Sequence, residues 1–350
     1  MKAWQFVAFG GPEQLALREV ATPTPGPGEV LVRVTHCGVN PIDRSVGAGR
    51  FPWRTLPHTP GAEIAGVVEA VAPGAAGVAP LVGTPIALAF RLFCGQCYYC
   101  LQGREEACIA DPRGASAPVA FGVTAPGGWA EYVLAPAKNC LPLPAGLAPA
   151  AACTAVVDGT TAWHMVDRAR VAPEERVLIV GATGGVGLYA LQIARQRGAL
   201  VAAVAGGADK AAALRDFTPD LIVDRTTEDV AARVRDWTGG RGVDVVIDPV
   251  GAATWDASLA ALAPLGRYAT CGVLTGADVK LNLAPFYAQE QEVVGSTGGT
   301  RADLQRVLEG LAAGRLGSAI WRTFPFAEAP QALAALGAED RVGKLVLQVS

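Results

Sequence analysis

The chain has 350 residues, of which 51% are hydrophobic and 17% charged, with a formal net charge of -3. That suits a globular protein of roughly two domains, and the absence of a Lys/Arg-rich run argues against a nucleic-acid partner. The start, MKAWQFVAFG, alternates like a strand rather than a signal peptide, and no 18-residue apolar run follows, so a cytoplasmic protein with no membrane partner, acting on a small molecule, is expected.

Residues 1–153 carry short alternating runs (WQFVAF, LALREV, EVLVRVTHCGV, IAGVVEAV) punctuated by Gly and Pro, the pattern of a compact antiparallel β domain. Two segments with polar chemistry, HCGVNPIDRSVGAG at 36–49 and LPHTPGAEIAGVV at 56–68, are expected to border a cleft. RLFCGQCYYCLQGREEAC then places Cys94, Cys97, Cys100 and Cys108 at Cys-x2-Cys-x2-Cys-x7-Cys spacing, within a lobe at 91–110. Four thiolates in one loop can fill the tetrahedral shell of a single structural zinc, leaving no position for water or substrate. Cys140, Cys153 and Cys271 lack such partners and read as small core residues.

RVLIVGATGGVGLYALQIARQRG, residues 176–198, reads as a buried strand, a glycine turn and a helix. Gly181, Gly184, Gly185 and Gly187 remove side chains where a backbone must turn tightly against a pyrophosphate at the helix N-terminus, and Val186 between the last two is a further cofactor-binding candidate. The next strand ends at Ala205, Gly206 and Gly207 without the acid that receives a ribose 2′-hydroxyl, and Lys210 follows, so NADPH is the expected cofactor. Further strands near 221–223, 243–248, 266–273 and 292–297 predict a doubly wound parallel sheet, and Asp248 ends one of them as either a cofactor neighbour or a turn-capping residue.

The cysteine lobe, the NPID segment, PGAEIAG and GATGGVG, in that order, make the chain similar to the medium-chain dehydrogenase/reductase superfamily. The resemblance implies an α/β protein with a GroES-like β domain at 1–153, a Rossmann domain at 154–297, and a return segment at 298–350 completing the first domain. It implies a homodimer or homotetramer. Gly272 and Gly295 become candidate nicotinamide-side positions, and Thr161 a residue touching the nicotinamide.

Laying that family's catalytic-zinc motifs on this chain puts Asn40, Ala62 and Val157 at the ligand positions. One structural zinc and no catalytic zinc are therefore expected. Cys37, His58 and Asp158 remain as an alternative, displaced metal site. Asn40-Pro41-x-Asp43 and the GGVG turn resemble the quinone-oxidoreductase and enoyl-reductase branches, implying hydride transfer from NADPH to an α,β-unsaturated carbonyl or quinone. In that reading Asn40 donates to the carbonyl oxygen, Asp43 and Glu63 buttress the cleft, the proton comes from solvent or through Ser45, and Phe51 stands where relatives carry Tyr. Alcohol dehydrogenation, or NADPH binding without catalysis, are the alternatives.

Overall fold

A computed structural model of the chain describes residues 1–51, 55–75, 79–109 and 119–350. They form two compact units: residues 1–160 with 300–339 and 344–350, and residues 161–299 with 340–343. Among the described residues no helix is long and apolar enough to cross a membrane.

In the first unit, β1 (Lys2–Phe6) pairs antiparallel with β2 (Leu15–Glu19). The long strand β3 (Glu29–Val39) has one edge on β4 (Glu63–Val71), beyond which lie β5 (Pro85–Leu88) and β7 (Cys140–Pro142). β6 (Tyr132–Pro136) takes the other edge of β3 along Glu29–Arg33. β-Branched side chains on these strands bury one face together with Phe6, Phe121 and Trp129.

The second unit holds β8 (Arg176–Ile179), β9 (Leu200–Ala205), β10 (Leu221–Asp224), β11 (Val243–Asp248), β12 (Leu262–Thr270) and β13 (Glu292–Gly295). All pair in parallel, in the order β10-β9-β8-β11-β12-β13. Strand order reverses between β8 and β11, the position where doubly wound sheets bind nucleotides. Val177, Leu178 and Ile179 of β8 are wholly buried, as the unbroken apolar run required.

The chain then returns to the first unit. β14 (Ile320–Pro325) lies parallel to β15 (Lys344–Gln348), which runs antiparallel to β3 along His36–Val39. A sheet expected to be antiparallel thus contains one parallel pair, made possible by the helix Ala329–Ala334 that connects its two strands.

Candidate active site and zinc lobe

The glycine turn expected to cradle a nucleotide is built from backbone. Gly181 has φ 61, a left-handed conformation, and its carbonyl accepts from Gly184 N at 2.9 Å. A Cβ on Gly187 would stand 2.3 Å from Gly181 O and 2.8 Å from Ala182 Cα, so the helix Gly185–Gln196 can approach the turn only with glycine there. Gly184 caps that helix without a side-chain hydrogen bond, leaving its first amides, including those of Gly185 and Val186, for a pyrophosphate.

The adenosine end differs from the sequence expectation. Lys210 sits half-buried on the helix Ala208–Leu214. Parallel pairing sets Asp224 of β10 opposite Ala205 of β9, and Asp224 Oδ1 accepts from Gly207 N at 2.9 Å. A carboxylate therefore does reach the β9 turn, from the neighbouring strand rather than from β9 itself. The Thr226 hydroxyl and amide hold it below its ordinary pKa. Arg225 lies alongside: a Cβ on Gly206 would meet its Nη2 at 3.0 Å.

Asp248 is not presented to a cofactor. Its Oδ1 accepts from Val250 N and Gly251 N, and its Oδ2 from Thr254 Oγ1 and Ser258 Oγ, which makes it the cap of its own turn. Gly272 is required for packing, since a Cβ would fall 1.9 Å from Pro249 O; Gly295 borders open space, and its carbonyl accepts from Arg168 Nε at 3.4 Å. Thr161 is buried in the first turn of the helix Thr160–Arg168.

In the first unit the NPID segment forms a capping box. Asn40 Oδ1 accepts from Ile42 N, Asp43 Oδ2 accepts from Asn40 N, and Pro41 opens the helix Pro41–Gly47. Asp43 Oδ1 also accepts from Gly61 N at 2.9 Å. Ser45 is half-buried on that helix, and Phe51 packs on the apolar core.

The expected role of Asn40 as donor to a substrate carbonyl is corrected by its partners. Nδ2 donates to Asp158 Oδ1 at 2.8 Å and to Glu63 Oε1 at 3.3 Å, which commits both amide hydrogens to carboxylates. Lys344 Nζ closes the group, 2.6 Å from Glu63 Oε2 and 2.7 Å from Asp158 Oδ2. Burial pushes the Glu63 carboxyl up to about 8, with the Asp158 and Asp43 carboxylates adding to the rise and Lys344 opposing it. Burial alone would lower the Lys344 ammonium, but Asp158 and Glu63 outweigh it and hold it well above its ordinary value.

Sequence reasoning placed Val157 in this neighbourhood and did not connect Lys344 with it. The π-helical turn Ala155–Gly159 changes the side-chain register, so Asp158 rather than its predecessor enters the cluster. A lysine heading the apolar run Leu345–Leu347 was the available signal.

Asn40, Ala62 and Val157 do not fit a second zinc, and the nearby carboxylates already hold an ammonium. The displaced site is corrected too. Asp158 faces Asn40 and Lys344, His58 Nε2 lies 3.1 Å from Gly122 O, and the four-cysteine cluster is the metal-capable group found among the described residues.

The cysteine lobe does fit zinc. All four sulfurs lie within 4.8 Å of one another. Individual separations are 3.7 Å for Cys94–Cys108, 3.9 Å for Cys94–Cys100 and 3.9 Å for Cys97–Cys108. A tetrahedron with Zn–S bonds of about 2.3 Å has edges of about 3.8 Å. Gln96 N and Cys97 N donate to Cys94 Sγ, which lowers its pKa, and backbone donors from Cys100 and Ile109 bring Cys97 down to about 6.

Both units of the chain have counterparts among known proteins. The sequence matches the alcohol dehydrogenase GroES-like domain over residues 26–145 and the zinc-binding dehydrogenase domain over residues 185–313. A NAD-dependent alcohol dehydrogenase of Saccharolobus solfataricus is 30% identical, the match covering 99% of each chain. The crystal structure of a thermostable alcohol dehydrogenase from Pyrobaculum aerophilum is 39% identical with a TM-score of 0.89, covering 100% of this chain and 99% of that one. Another NAD-dependent alcohol dehydrogenase structure gives 34% identity and a TM-score of 0.93 over 100% of both. These relatives overturn the expectation of an enone or quinone reductase, which rested on the NPID and GGVG segments and on the absence of catalytic-zinc ligands at Asn40, Ala62 and Val157.

Proposed function

Because this chain belongs to the medium-chain dehydrogenase/reductase superfamily and is an oxidoreductase, we propose that it is an alcohol dehydrogenase, interconverting an alcohol and its carbonyl compound with NAD as cofactor. The observation that carries the reading is the Gly181–Gly187 cradle on a scaffold matched end to end by alcohol dehydrogenases. NAD+ supplies the hydride acceptor when bound, so that alcohol and NAD+ give carbonyl compound, NADH and a proton. The chain's own part is to hold the pyrophosphate on the amides of the helix Gly185–Gln196 and to fix the adenosine end at the β9 turn.

Asp224 supports NAD over NADP, since a carboxylate at that turn accepts from a ribose hydroxyl and repels a 2′-phosphate. The Arg225 guanidinium beside Gly206 would suit the phosphate instead, so the two residues compete for the choice. Primary and secondary alcohols are to be assayed with NAD+ and NADP+, and matching aldehydes and ketones with the reduced forms, by nicotinamide absorbance. Turnover of alcohols with kcat/KM at least about tenfold higher for NAD+ is expected, a difference of about 1.4 kcal/mol. Absence of turnover across both panels overturns the activity; equal or reversed preference overturns the cofactor. Asp224→Asn should narrow the preference by lowering kcat/KM for NAD+ more than for NADP+.

A further inference from the structure

The Asn40, Glu63, Asp158 and Lys344 cluster leaves one problem of charge. Glu63 is 0% exposed and Asp158 4%, and carboxylates removed from water need a compensating cation. A divalent metal is the usual solution where acids converge beside thiols, and Cys37 and Cys153 both lie close enough to feel the Glu63 charge. Burial, however, raises both thiols and keeps them neutral, while Ala62 offers no donor and Asn40 Oδ1 already accepts from Ile42 N.

The cation present is Lys344, 3% exposed, fixed at the head of β15 by its backbone bond to Ala319 O at 2.7 Å and by the buried side chains of Leu345 and Leu347. Its ammonium reaches both acids, and a second cation placed between them would have to displace it.

We propose that Lys344 supplies from within the chain the positive charge this buried acidic site requires, so that zinc binds at the four-cysteine lobe alone. Lys344 is a positioning residue: it holds Glu63 and Asp158, which in turn hold the Asn40 amide. The group neither needs nor admits a metal, in a chain whose second half matches a zinc-binding dehydrogenase domain.

Two measurements independent of alcohol turnover test this. The intact protein, dialysed against excess zinc and then metal-free buffer, should retain one zinc per chain by mass spectrometry, and Cys97→Ser/Cys100→Ser should retain none. Two zinc per wild-type chain, one of them surviving the double substitution, overturns the proposal. Native electrophoresis near pH 9, above the Glu63 value of about 8 so that the wild-type carboxyl is ionised, then reads the charge of Lys344→Met against Lys280→Met, the latter removing an exposed ammonium. The control should shift by one full charge and Lys344→Met by less than about half, because a carboxyl that loses its counter-ion in a buried site binds a proton instead. Equal shifts overturn the internal-cation role. Should Lys344→Met fail to fold, Lys344→Arg decides: it should fold with one zinc per chain, and loss of folding or a second zinc counts against the proposal.

Discussion

Gly61 and Gly187 show how much a single missing Cβ decides in this protein. A Cβ on Gly61, at φ 103, would lie 2.8 Å from Trp129 N and 2.9 Å from Cys37 Sγ. On Gly187 it would strike the Gly181 carbonyl. Gly187→Val should therefore weaken NADH binding by at least about tenfold, about 1.4 kcal/mol, read by titration of the intrinsic fluorescence. Unchanged affinity would show that the helix does not need to approach the turn so closely. Glu63 supports a pH prediction. Its folded pKa, about 8, lies above its ordinary 4.5, so the folded state binds the proton more tightly than the unfolded chain does. The stability that Glu63 contributes is therefore fullest below pH 4.5 and is lost as pH rises from there through about 8. The facing groups are Lys344, Asp158 and Asp43, with the neutral thiols of Cys37 and Cys153. Glu63→Gln should flatten the decline of Tm across that interval; an identical pH profile would remove Glu63 as its source.

Among the elements, the cysteine lobe was legible from spacing, since Cys-x2-Cys-x2-Cys-x7-Cys brings ligands together through local chain geometry whatever surrounds it. What the spacing could not show is how the lobe is anchored: Lys138 Nζ donates to Cys94 O at 2.9 Å and sits over the Phe93 ring. Since metal binding and ordering of such a lobe are one equilibrium, Cys97→Ser should abolish stoichiometric zinc and lower Tm, whereas Lys138→Met should lower Tm with the zinc retained. The carboxylate at the β9 turn escapes the sequence for the opposite reason. The acid that reaches the β9 turn belongs to β10, and only the parallel register Asp224↔Ala205 brings it there. The register of Asp158 likewise depends on a π-helical turn that side-chain periodicity does not announce.

At the scale of the molecule, strand, glycine turn and helix follow one another without interruption, so the parallel-sheet half could be read directly from residues 176–198. The β-rich half was legible as a class, by alternation, and its closing strand by the apolar run after Lys344. By itself the sequence determined the two-part α/β architecture, the superfamily and the zinc lobe, because each rests on short local patterns, the superfamily on several of them in a fixed order along the chain. The tertiary structure decided what Asn40, Glu63, Asp158 and Lys344 do together. Asn40 and Asp158 stand 118 positions apart, and whether a buried amide faces a substrate or a carboxylate is set by the strand and helix that bring its partner to it.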